Sequence, residues 1–228
     1  MRTTLFATSL LALAIAAPSV QAHQAGDIIV RAGAITVDPH ESSSDIFVGA
    51  LNTKVAGTKA TLDSDTQLGL NFVYMATNQI GIELLAATPF SHNVGVKGFS
   101  GAYEGLNGKL GSLKHLPPTV SLVYYPFADN KVFKPYVGAG INYTWFFDDK
   151  LSSSAENKGF SGLDMKDSWG FAAQLGADYM LTDNIMINGQ VRYIDIETTG
   201  TTNILGNKVK VDVDVDPFVY MVGLGYKF

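Results

Sequence analysis

The chain ends on FVYMVGLGYKF, Phe218 to Phe228, and no other stretch restricts its fold more. Phe218, Tyr220, Val222, Leu224, Tyr226 and Phe228 share one parity, while Val219, Met221, Gly223, Gly225 and Lys227 occupy the other. A period of two is the signature of a β-strand, and the bulky parity must meet apolar surroundings. Phe228 itself belongs to the pattern.

The same period recurs along the chain. Strands are expected near 27–38, 63–77, 79–91, 117–127, 134–147, 167–180, 184–198 and 207–228. In the sixth, Trp169, Phe171, Ala173, Leu175, Ala177 and Tyr179 alternate with Gly170, Ala172, Gln174, Gly176 and Asp178. In the fifth, Val137, Ala139, Ile141, Tyr143, Trp145 and Phe147 oppose Tyr136, Gly138, Gly140, Asn142, Thr144 and Phe146. Connections after the second, fourth and sixth segments are short, whereas those after the first, third, fifth and seventh are long. Such a chain reads as an all-β fold: an eight-stranded antiparallel transmembrane β-barrel with up-and-down meander topology. The bulky parity then faces lipid, and closure removes the sheet edge that a membrane cannot tolerate. Tyr226 and Phe228 fall on the periplasmic aromatic girdle, Trp145 and Phe147 on the extracellular one. A soluble lipocalin-like barrel with the bulky parity inward is the rival. The parity opposite the aromatics, rich in Gly, Ala and polar residues, suits a narrow lumen better than water.

Composition agrees with export. Residues 1–22 carry a basic start at Arg2, an apolar run from Leu5 to Ala17 and a small-x-small site at Val20-Gln21-Ala22, as in a cleaved secretory signal. The barrel domain is then 23–228. There is no cysteine to bridge or to hold a metal as thiolate, and a net charge of −5 without a basic cluster excludes a nucleic-acid surface.

Five stretches resemble the OmpW family of outer-membrane proteins: KHLPPT (Lys114–Thr119), FKPYVGAGINYTWFFDD (Phe133–Asp149), MKDSWG (Met165–Gly170), YIDIETT (Tyr193–Thr199) and the terminal segment with its preceding aspartate. The early AGDIIVRAGAITVDP is nearest the OprG type, and the AlkL type is also similar. The resemblance spans the mature chain in order. It implies residence in the outer membrane of a Gram-negative bacterium and passage of small, mostly hydrophobic molecules. It also implies that the terminal aromatics Tyr226 and Phe228 serve as an assembly signal for the barrel assembly machinery. No cofactor is implied. Where family members can carry an aromatic narrowing the lumen, this chain has Arg192, which leaves room for a more polar cargo.

Eight strands leave an interior wide enough for side chains or one small ligand, so an open aqueous pore is excluded on size. The inward parity places Arg31, Glu83, Asp178 and Arg192 as a charged floor, which must be internally paired. Above it the inward set turns apolar at Ile35, Val37, Leu85 and Ala87. A hydrophobic solute gains nothing by crossing the floor into water, so release sideways into outer-membrane lipid is the cheaper route. Pro89 lacks a ladder donor and belongs at an edge or bulge. It either marks a lateral opening or simply ends the strand.

In the eighth segment the apolar parity changes from Val209, Val211, Val213 and Val215 to Phe218 onward, so a bend is expected at Asp216 and Pro217. Asp212, Asp214 and Asp216 read as a solvated strand face; a calcium loop would want a turn glycine. The histidines His23, His40, His92 and His115 fall at the N-terminus or in expected loops, where His92 and His115 can approach one another. A hydrolytic enzyme would need a histidine beside a serine and an acid. No such set is legible, so neither catalytic nor metal residues are assigned. A channel for small polar or amphipathic solutes, and a structural or adhesive barrel with no transport role, remain the alternatives to a hydrophobic-solute channel.

Overall fold

The computed structural model describes residues 23–127 and 129–228; the expected leader over 1–22 lies outside them. Eight strands form the wall: β1 (Ile28–Asp38), β2 (Asp65–Met75), β3 (Ile80–Ala87), β4 (Thr119–Tyr124), β5 (Phe133–Leu151), β6 (Ser168–Met180), β7 (Ile185–Ile194) and β8 (Phe218–Lys227). Each pairs antiparallel with its neighbours in the chain. The terminal strand then pairs with the first, from Ile29↔Lys227 to Asp38↔Phe218, and closes the ring. Phe228 continues this seam by donating its N–H to the Ile28 carbonyl at 2.8 Å.

The alternation has the expected sense. Trp169 and Phe171 are 72 % and 73 % exposed, whereas Ala172 and Gln174 beside them are buried at 4 %. A side chain that bulky would not face water along a whole wall. The outward parity of all eight strands therefore forms the lipid-facing band.

Outside the wall the expectations change. Much of what reads as long loops is β-structure. Phe90–Lys97 and Gly108–Leu116 prolong β3 and β4 beyond the ring, and Lys59–Leu62 pairs with the first of them. A second sheet stands over the barrel, built from Phe160–Met165, Glu197–Ile204, Asn207–Asp214, Ile46–Val48 and Thr53–Val55. The expected strand 207–228 is two elements. Asn207–Asp214 pairs with Glu197–Ile204, while β8 pairs with β1 and β7. Between them Asp216 takes a left-handed φ of 38° and Pro217 follows, so the phase change at this point is a true break. The expected strand 184–198 divides likewise, because β7 ends at Ile194 and a strand of the upper sheet starts at Glu197.

Candidate functional site

The four charged residues expected on the inward parity form one connected network. Arg31 grips Asp178 with two parallel bonds, Nε to Oδ1 at 3.0 Å and Nη2 to Oδ2 at 2.6 Å. Its Nη1 donates to Asn71 Oδ1 and lies 3.6 Å from Glu83 Oε2. Glu83 Oε1 in turn meets Arg192 Nη2 at 2.5 Å and accepts from Gln174. Gln174 also accepts from Arg192. Two guanidinium groups and two carboxylates thus meet in one network, and Arg31, Glu83, Asp178 and Arg192 are all at 1 % exposure or less. Parity alone placed all four on this belt. The contacts between them depend on barrel closure, since Arg31 and Asp178 stand 147 residues apart.

Sequence reasoning missed the aromatic half of the belt. Tyr125 accepts from Arg31 Nη2 at 2.7 Å, and Tyr136 donates to Gln190 and accepts from Asn188. The Arg31 guanidinium lies 5.0 Å from the Tyr136 ring centroid. Gly176 stands under that ring: any side chain there would overlap Tyr136. The belt is also not the lowest layer. Ile29, Val73, Met75, Val123, Met180 and Met186 pack with Tyr125 and Tyr136 in one cluster on its lower side. From the N-terminal side, His23 is fully buried with its ring 4.8 Å from that of Tyr125. No motif marks His23; its burial follows from Gly26 pairing with Met75 and Ala25 with Asn78.

Above the belt apolar side chains fill the lumen. Ile35, Val37 and Leu85 belong to one continuous cluster with Ala87 packed against it. That cluster extends through Phe90, Val94, Leu110 and Phe160 into the upper sheets. There it walls a cavity of about 80 Å³ lined by Leu62, Phe99, Leu106, Leu110, Val209 and Val211 among others. The alternation of Phe90, His92, Val94 and Val96 could have shown that this region is strand rather than loop.

Pro89 stands at a break in the wall. The ladder between the third and fourth wall strands stops at Leu85↔Thr119 and resumes at Phe90↔His115. Four residues, Ala86 to Pro89, face three, Leu116 to Pro118, so the break is also a bulge. Three of these seven residues are proline. Thr88 donates its N–H to Leu68 on the β2 side at 2.9 Å, so the next backbone nitrogen turns toward β4, and it belongs to Pro89. On the β2 side the wall is stitched instead by side chains: Asp65 accepts from Ser91 N, and Asp63 from Asn93 N and Nδ2.

His92 and His115 lie in strands, not loops, and they do meet. Their Nε2 atoms are 2.9 Å apart and both rings are buried, that of His115 against the rings of Phe90 and Phe146. The pair hydrogen-bonds to the Asp63 carbonyl and to each other, with the Asp63 carboxylate 3.9 Å from His92 Nδ1, and no nucleophile is among these partners. The aspartate run is spent on surface contacts: Asp212 on Lys210 and Thr199, Asp214 on Ser42, Asp216 on the Ile196 N–H. Among the described residues no group of three or more His, Cys, Asp or Glu is placed to hold a metal ion. Tyr226 and Phe228 both face outward, with ring centroids 4.6 Å apart.

The OmpW family model matches residues 24–228. Outer membrane protein W of Vibrio cholerae is 45 % identical over 228 residues, all of both chains. The outer-membrane protein AlkL of Ectopseudomonas oleovorans is 28 % identical over 189 residues, 82 % of this chain and 76 % of that one. The crystal structure of the outer membrane protein OprG from Pseudomonas aeruginosa superposes with a TM-score of 0.86 at 52 % identity, covering 92 % of this chain and 99 % of that one.

Proposed function

The chain belongs to the OmpW family of outer-membrane proteins, and from that premise we propose that it is a channel for passive uptake of small hydrophobic molecules, which leave sideways into the bilayer beside Pro89. One observation carries the reading. An apolar column runs from the upper cavity down to a belt filled with paired charges, and the wall's ladder is broken between the two, at Ala86–Pro89 against Leu116–Pro118. A solute that has entered the column meets ion pairs below and lipid beside it. Each methylene is worth about 0.8 kcal/mol in lipid over water, so the sideways exit is downhill where the axial one is not. Because prolines occupy both lips of the break, neither strand can fully supply the donors that would close it.

The reading assigns no catalytic step. A more polar cargo is the second reading, supported by Arg192, whose Nε and Nη1 are buried without a hydrogen-bond partner. Uptake by cells lacking the native protein separates the two. Wild type should speed entry of a medium-chain alkane, and a variant with Pro89, Pro117 and Pro118 all replaced by alanine should assemble normally yet lose most of that gain. Retained alkane uptake in this variant, together with its loss when Gly81 below the belt is replaced by a bulky residue, would mean passage straight down the barrel.

A further inference from the structure

The hydrogen bonds around the two histidines fix their tautomers. His92 Nδ1 lies 2.5 Å from the carbonyl oxygen of Asp63, which can only accept, so His92 carries its proton on Nδ1. Its Nε2 is then a lone pair, and the bond of 2.9 Å to His115 must come from a proton on His115 Nε2. That leaves His115 Nδ1 as a bare acceptor. It is buried and has no hydrogen-bond partner, in a residue only 4 % exposed. A buried acceptor left unmade is costly, so this atom calls for a partner.

His115 also walls a small cavity of about 10 Å³, shared with Val37, Leu62, Phe146, Ile196 and Val215. A space of that size holds about one water-sized group. Leu62 is common to this cavity and to the larger apolar one above it. A residue with one bare acceptor on the wall of a hydroxyl-sized, otherwise apolar space suits a molecule with one neutral donor on an apolar tail. We propose that His115 Nδ1 is a selectivity point of the passage and accepts a hydrogen bond from the hydroxyl of a medium-chain primary alcohol. A carboxylate has no proton to donate and would be rejected, while an alkane would pass without using the site. This rests on the channel reading for its physiological meaning, but the contact itself is a binding event that can be measured without transport.

The test uses the full chain reconstituted in lipid bilayers with nitrogen-15 histidine. The His115 ring is identified by coupling to His92 across their shared hydrogen bond. Octanol should move the His115 Nδ1 resonance toward that of a hydrogen-bonded acceptor, while octane and octanoate should leave it in place. Octanol should also bind roughly three- to tenfold more tightly than octane, the range expected of one neutral hydrogen bond, and H115F should level the two while retaining octane binding. An Nδ1 resonance that octanol does not move would overturn the proposal, whether the atom stays bare or is held by water. So would an octanol preference that survives in H115F. The wild-type spectrum decides the matter even if H115F fails to assemble. Binding as expected with no alcohol uptake by cells would refute the channel and leave the site standing.

Discussion

Arg31 on β1 and Asp178 on β6 meet through two parallel hydrogen bonds of 3.0 and 2.6 Å, in a lumen where neither side chain is exposed. Removing one partner of a buried pair strands the other charge, at a cost of about 3–5 kcal/mol. Asp178→Asn should therefore lower the barrel's resistance to denaturant in lipid vesicles by that order, followed by the heat-modifiable shift on gels. A variant in which Arg31 and Asp178 are both replaced by neutral residues should recover part of the loss. Equal loss in the double variant would mean that shape, not charge pairing, holds the belt.

Glu83 is shared between Arg31 and Arg192. Glu83→Gln leaves two guanidinium groups against one carboxylate, so any residual conductance in planar bilayers should shift toward anions. An unchanged ion preference would show that ions do not pass the belt at all.

Gly176 leaves room for the Tyr136 ring that covers the Arg31 guanidinium. Gly176→Ala should displace Tyr136 and cost its hydrogen bonds to Gln190 and Asn188 as well as the packing, about 1–3 kcal/mol of barrel stability. Adding Tyr136→Phe to that variant should then cost little more, since the hydroxyl would already have lost its partners.

Phe228 makes the last bond of the closing seam and presents an outward aromatic ring. Deleting it should reduce the amount of folded protein reaching the outer membrane while leaving the thermal stability of what does fold nearly unchanged, because one net backbone hydrogen bond is worth about 1 kcal/mol. Normal yield with lowered stability would assign Phe228 to the seam alone and not to assembly.

Alternation alone determined the wall of this protein. Arg31, Glu83, Asp178, Arg192, Ile35, Val37 and Leu85 are buried, because side-chain parity is a local property of a strand and survives any arrangement of its neighbours. The break near Asp216 and Pro217 was legible for the same reason, as a change of phase. The upper sheets were not: Glu197–Ile204 pairs with the strand directly after it, but its run of threonines around one glycine carries a weak apolar signal, and the polar residues of Phe90–Lys97 read as a loop. Only the closed ring decided which charges touch, that Tyr125 and Tyr136 complete the belt, and that His23 fills the space below. Only the registers on both sides of Pro89 show that four residues face three there. Contacts across a lumen join residues that share no local pattern. The lone pair left on His115 likewise exists because two strands and the connection at Asp63 bring two rings and a carbonyl together.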